Sequence, residues 1–103
     1  MTTNTAPAIE IVHLTVATGH EDAFLAERDG MIAAVREVHP GLLHAQLVDL
    51  GDGQWIDLVR WRTIDEAHAA AADFPNIPQA GAWAAHIAEV TSMTHGHIAH
   101  ESR

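Results

Sequence analysis

The segment Trp55-Ile-Asp-Leu-Val-Arg-Trp61-Arg-Thr-Ile-Asp-Glu-Ala-His68 constrains the fold more than any other part of the chain. At period two it places Trp55, Asp57, Val59 and Trp61 on one face of a strand and Ile56, Leu58, Arg60 and Arg62 on the other. Neither face is purely polar, so both are expected to be covered. Thr63-Ile-Asp-Glu66 then has the spacing of a capping box, in which a hydroxyl and a carboxylate satisfy free amides at a helix start. A carboxylate held between two indoles needs either a neutralising partner or a wet pocket, so Asp57 is expected to have one or the other.

The remaining elements are placed around this strand. Residues 1–8 read as a loose tail and residues 9–100 as a single domain. Residues 9–17 alternate, with Val12, Leu14 and Val16 on one face and Ile11, His13 and Thr15 on the other. Thr18-Gly-His-Glu21 has capping-box spacing and predicts a helix to about His39, striped by Phe24, Arg28, Met31, Val35 and Val38 and stopped by Pro40-Gly41. Leu42 to Leu50 predicts a second strand, with Leu43, Ala45 and Leu47 opposite His44, Gln46 and Val48. Gly51-Asp52-Gly53 makes a tight hairpin into the third. An Ala-rich helix ends by Phe74-Pro75. Gln79 to Val90 predicts a short helix with Trp83, Ile87 and Val90 on one side, and Thr91 to His100 a final strand.

The order is β-α-β-β-α-β, the ferredoxin-like α+β arrangement. Helices cover one face of such a sheet. The other is expected to carry Ile11, Trp55, Val59 and Trp61, which favours a homodimer with sheets packed face to face.

Composition narrows the function. With a formal charge of −9, five Arg and no Lys, the chain lacks the basic footprint that nucleic acid or an anionic membrane surface requires. No apolar run approaches the ~18 residues of a membrane span, and no basic-then-apolar leader is present, so a cytoplasmic protein is expected. Without Cys there are no thiolate nucleophiles or thiolate metal sites; without Lys, no Schiff base; without Tyr, no phenolic acid. Nine His remain to exchange protons near neutrality. His20, His39 and His68 read as composition on helices or their ends, with His39 also offsetting a helix dipole.

With Pro40-Gly41 before strand two, Val59-Arg60-Trp61 closing strand three, Ala82-Trp83-Ala84-Ala85-His86 on the late helix and Ser92-Met93-Thr94-His95-Gly96 at the last strand, the chain resembles the antibiotic biosynthesis monooxygenase superfamily over roughly residues 9–98. The resemblance implies a dimeric α/β barrel, with several chemistries on one scaffold. In the cofactor-free anthrone oxygenases an Asn four residues before a Trp lines the pocket; Asp57 and Trp61 have that spacing, with Asp in place of Asn and no accompanying Tyr. In the haem-degrading branch an Ala-Ala-His supplies the axial ligand, which Ala84-Ala85-His86 resembles. The pocket Trp of that branch falls near Ala70 or Ala71 here, and its first-strand Asn near Val12 or His13. The polyketide cyclase branch uses a His–Tyr pair, which this chain could replace only with His and Asp.

The resemblance therefore implies a cofactor-independent oxygenase that acts with dioxygen on an aromatic or polyketide-like molecule. The alternatives are a haem-binding or haem-degrading protein, a cyclase-like proton-transfer enzyme, and a non-catalytic small-molecule-binding dimer. Candidate acid–base residues are Asp57, His86 and His13; candidate substrate-binding residues are Trp61, Trp55, His44 and Trp83. A desolvated Asp57 could act as base, or simply pair with an Arg. His13 and His44 could share its sheet face as a proton relay, or line a wet interface. His86, at the edge of the Trp83 stripe, could look into a cleft or bond a backbone carbonyl. His95-x-His97 with nearby His100 reads as surface decoration rather than a metal site, since a stable site wants a third ligand and a supporting shell.

Overall fold

The computed structural model describes residues 6–102. Within them the chain runs β1 (Ala8–Val16), α1 (Glu21–Ala26), α2 (Arg28–Val38), β2 (Leu42–Gly51), β3 (Gln54–Trp61), α3 (Ile64–Asp73), α4 (Pro78–Ala84) and β4 (Ile87–His97), with a 3-10 turn at Phe74–Asn76. The strands form one antiparallel sheet in the order β2-β3-β1-β4, the ferredoxin-like arrangement. The expected tail falls largely on residues 1–5, outside the described residues, and β1 begins at the fully buried Ala8.

Strand register decides what each face carries. Leu14 pairs with Trp55, Val12 with Asp57 and Glu10 with Val59, so these side chains share the face beneath the helices. Trp55, Val59 and Trp61 are therefore core, not part of the outer face expected for them. The outer face carries Ile9, Ile11, Ile56 and Leu58, all half-buried, with His13, His44, Val48 and Arg60 around them. It is still an apolar surface, built from the opposite phase of the same alternation.

The predicted first helix is two. The chain turns at Glu27 between α1 and α2, and the N-cap is His20, with no side-chain bond; Glu21 instead accepts from the Gly19 amide at 3.1 Å. Phe24, Arg28, Met31 and Val35 are buried, whereas Val38, the last residue of α2, is 56% exposed. The Thr63 cap forms as predicted: its hydroxyl accepts the Glu66 amide at 3.2 Å. Glu66 also receives Arg62, and its carboxylate lies over Gly41, where an added Cβ would come within 2.5 Å of it. At the hairpin tip Asp52 and Gly53 have φ of 55° and 75°, a type I′ turn. The late helix is shorter than predicted. The His86 carbonyl accepts the Ala17 amide at 2.9 Å and Ile87 pairs with Val16, so Ile87 to Val90 belong to β4.

An aromatic column joins the layers. Phe24 stacks on Trp83 at 4.6 Å and meets Trp55 edge-on at 5.4 Å, while Trp83 Nε1 donates to the Phe24 carbonyl at 2.8 Å.

Candidate active site

A cleft lies between the helices and the sheet. Its larger chamber, about 270 Å³, is walled by Val12, Leu14, Phe74, Trp83, Ile87 and Met93. A smaller one, about 40 Å³, is bordered by Met31, Val35, Val59 and Trp61. Glu10, Asp57, Ala71 and Phe74 line both, so the chambers meet over two carboxylates. The volume is at the small end for a ligand site, and the apolar lining with a few convergent polar groups is characteristic of one.

Asp57 is neutralised. Arg28 of α2 donates from Nη2 to Asp57 Oδ1 at 2.6 Å, and both residues are 8% exposed. The guanidinium also lies 5.2 Å from the centre of the Trp83 ring. Asp57 is thus the counter-ion of a buried arginine, and either charge alone would be costly.

Glu10 is the other carboxyl. Its Oε1 accepts from Trp61 Nε1 at 3.0 Å, and its side chain is 13% exposed. Burial pushes its pKa up to about 7, with the Asp57 charge adding to the rise and Trp61 and Arg28 opposing it. A carboxyl so held exchanges a proton at neutral pH. Directly across β1 and β4 stands His95, with Nε2 3.9 Å from Glu10 Oε2. That nitrogen is buried and has no hydrogen-bond partner among the described residues. The His95 ring meets the exposed His68 of α3 edge-on at 4.8 Å. Burial, and secondarily His68, lowers the His95 pKa.

The structure does not bring together the other expected acid–base residues. His13 pairs with Ile56 and His44 with Arg60, which puts both on the outer face, away from Asp57. The relay expected among the three cannot form, because Asp57 belongs to the opposite phase. His86 follows α4 outside the cleft lining, with Nδ1 3.0 Å from His20 Nδ1 and Nε2 3.0 Å from Glu27 Oε1. Both its nitrogens are within hydrogen-bond distance of these neighbours, on the surface and away from the cleft. Trp55 packs on Phe24 and lines neither chamber, whereas Trp61 and Trp83 do. His39 closes α2 and bonds Asp73 at 2.8 Å, which holds the Asp73 pKa down. His100 contacts Ser102.

Glu10 was not singled out in the sequence, and His95, read there as surface decoration, is half-buried with its Nε2 turned to Glu10. Glu10 is in phase with Val12, Leu14 and Val16, so the reading that buried those three also buried an acid. His95 becomes visible only once β4 is paired to β1.

A model of the antibiotic biosynthesis monooxygenase family matches residues 7–86. A search of curated protein sequences returns no match. Among solved structures, a Nitrosomonas europaea protein assigned to the antibiotic biosynthesis monooxygenases is 14% identical, with a TM-score of 0.70 and full coverage of both chains. SnoaB of Streptomyces nogalater, a cofactor-independent oxygenase, is 20% identical at a TM-score of 0.64, with 95% of this chain and 96% of that one covered. MupZ of Pseudomonas fluorescens is 16% identical at 0.67, covering 87% and 70%. At these identities the likeness carries the fold, and the family match carries the assignment: the chain belongs to the antibiotic biosynthesis monooxygenase family.

Proposed function

We propose that the protein is a cofactor-independent monooxygenase acting on an aromatic or polyketide-like molecule that has an acidic C–H, with Glu10 as the base. The observation that carries this is a carboxyl poised near neutrality on the floor of an apolar cleft, bonded to Trp61. Family membership and the likeness to a cofactor-independent oxygenase support the reaction class.

The steps balance without a reductant. Glu10 takes a proton from a methylene flanked by conjugating groups, and the electron pair spreads into the ring system. The carbanion adds dioxygen, and protonation gives a hydroperoxide. Removal of the second proton from the same carbon expels hydroxide as the O–O bond breaks, which leaves a carbonyl and water. One atom of dioxygen enters the product and the other leaves as water. Trp61, Trp83 and Phe74 offer flat surfaces to a ring system, and the apolar walls keep water from the carbanion. Asp57 acts at one remove, by holding Arg28 against the Trp83 wall. The apolar outer face is proposed to pack against a second copy of the chain.

The test is oxygen uptake with dithranol, a dihydroxyanthrone. The wild type should consume one dioxygen per substrate, and Glu10→Gln should lose about 10²–10⁴-fold in rate. Full activity in Glu10→Gln refutes the assigned base. Turnover without oxygen would make the protein a cyclase-like proton-transfer enzyme, and binding without turnover would make it a binding dimer.

A further inference from the structure

We propose that Glu10, His95 and His68 form a proton-exchange path between the floor of the cleft and solvent, with His95 passing protons between Glu10 and the exposed end. The inference rests on the oxygenase reading for its purpose, but on independent geometry for its existence. Both protons lost by the substrate carbon end in the water released, so the path serves the resting enzyme: a Glu10 carboxyl enclosed by apolar walls has to give its proton to solvent before it can act as a base. The sheet supplies a route. Glu10 and His95 are directly paired across β1 and β4, and His95 Nε2 faces Glu10 Oε2 at 3.9 Å with no competing partner among the described residues. A small side-chain rotation closes that gap. Beyond His95 lies His68, whose residue is exposed on α3.

The charge arrangement leaves the proton on Glu10 at rest, because the pKa of its carboxyl is raised to about 7 while that of the His95 ring is lowered, so an imidazolium on His95 is a transient carrier. From β3, Asp57 opposes ionisation of Glu10; from α2, Arg28 and, from β3, the Trp61 indole favour it. Burial, and secondarily His68, disfavours the charged form of the His95 ring. Transfer proceeds from the Glu10 carboxyl to the Nε2 lone pair. The other ring nitrogen then releases a proton to water beside the exposed His68, and neutral imidazole and carboxylate are restored. His95 and His68 are thus positioning and relay groups; neither touches the reacting carbon.

The pairing is tested without substrate. Carboxyl carbon-13 and ring nitrogen-15 titrations would be recorded for the wild type, His95→Gln and His68→Gln. In the wild type the Glu10 carboxyl should titrate near neutrality with an inflection shared with the His95 ring. In His95→Gln that inflection should vanish and the Glu10 midpoint move by about half a pH unit or more. An identical Glu10 titration in wild type and His95→Gln overturns the inference, whether or not dithranol is consumed. The relay role is read from turnover. His95→Ala and His68→Ala should slow oxygen uptake at saturating dithranol several-fold, with the rate restored by added imidazole, while Glu10→Gln stays unrestored. Slowing that imidazole leaves untouched also overturns it. Coupled titrations together with no oxygen uptake would sink the oxygenase reading and leave the proton chain standing.

Discussion

Glu10→Gln should stabilise the protein, and by an amount that depends on pH in one direction only. The substitution keeps an acceptor for the Trp61 indole and removes the ionisation. The Glu10 pKa rises from 4.5 to about 7 on folding, so between those values the folded chain binds more protons than the unfolded one. Stability from this group is complete below 4.5, falls as pH rises, and is lost by the time pH passes about 7. The full difference of 2.5 units is worth about 3 kcal/mol at 1.36 kcal/mol per unit. At pH 8 the wild type bears nearly all of that cost, and at pH 5 about 1 kcal/mol of it. Urea unfolding of both proteins at fixed protomer concentration should therefore show the Gln variant gaining about 2 kcal/mol more at pH 8 than at pH 5. The intrinsic difference between an amide and a neutral carboxyl cancels in that comparison. An equal effect at the two pH values would mean that Glu10 ionises as an ordinary surface acid, and the base assigned to the cleft would go with it.

Asp57→Ala should destabilise by about 3–5 kcal/mol in chemical unfolding, because Arg28 is left buried and uncompensated; adding Arg28→Met should recover much of the loss. Thr63→Ala should cost about 1 kcal/mol by the same assay, through loss of the α3 cap. Leu58→Asp on the outer face should shift sedimentation from dimer to monomer; an unchanged sedimentation coefficient at micromolar concentration would refute packing through that face.

The β-α-β-β-α-β order was legible because each element is marked locally. The Asp52-Gly53 turn, the Thr63 box and the Pro40-Gly41 stop depend on residues within a few positions of one another. The site was less legible because it is assembled across strands. Alternation shows that Trp55, Asp57 and Trp61 share a face, but not that the helices cover it. The pairings of Val12 with Asp57 and Glu10 with His95 are fixed by register over long separations. The histidines with the most suggestive local contexts, His13 and His86, stand on the outer face and outside the cleft. Two inconspicuous residues, Glu10 and His95, face each other inside it. The Ile87–Val90 error has a similar origin: four residues that continue a helical stripe are captured by pairing with β1.

Glu10 lies on a central strand, paired on both sides, whereas much of the chamber wall comes from the edge strand β4 and the turn at Phe74–Asn76. The proposed reagent and the proposed mould therefore sit on parts of the molecule with different freedom to change. Substitutions at Val90, Met93 or Phe74 can reshape the space without disturbing the ladders that aim the carboxyl. A lineage built on this scaffold could exchange one ring system for another while its acid stayed in place, and selection for a new substrate in the laboratory would do best to begin with those wall positions.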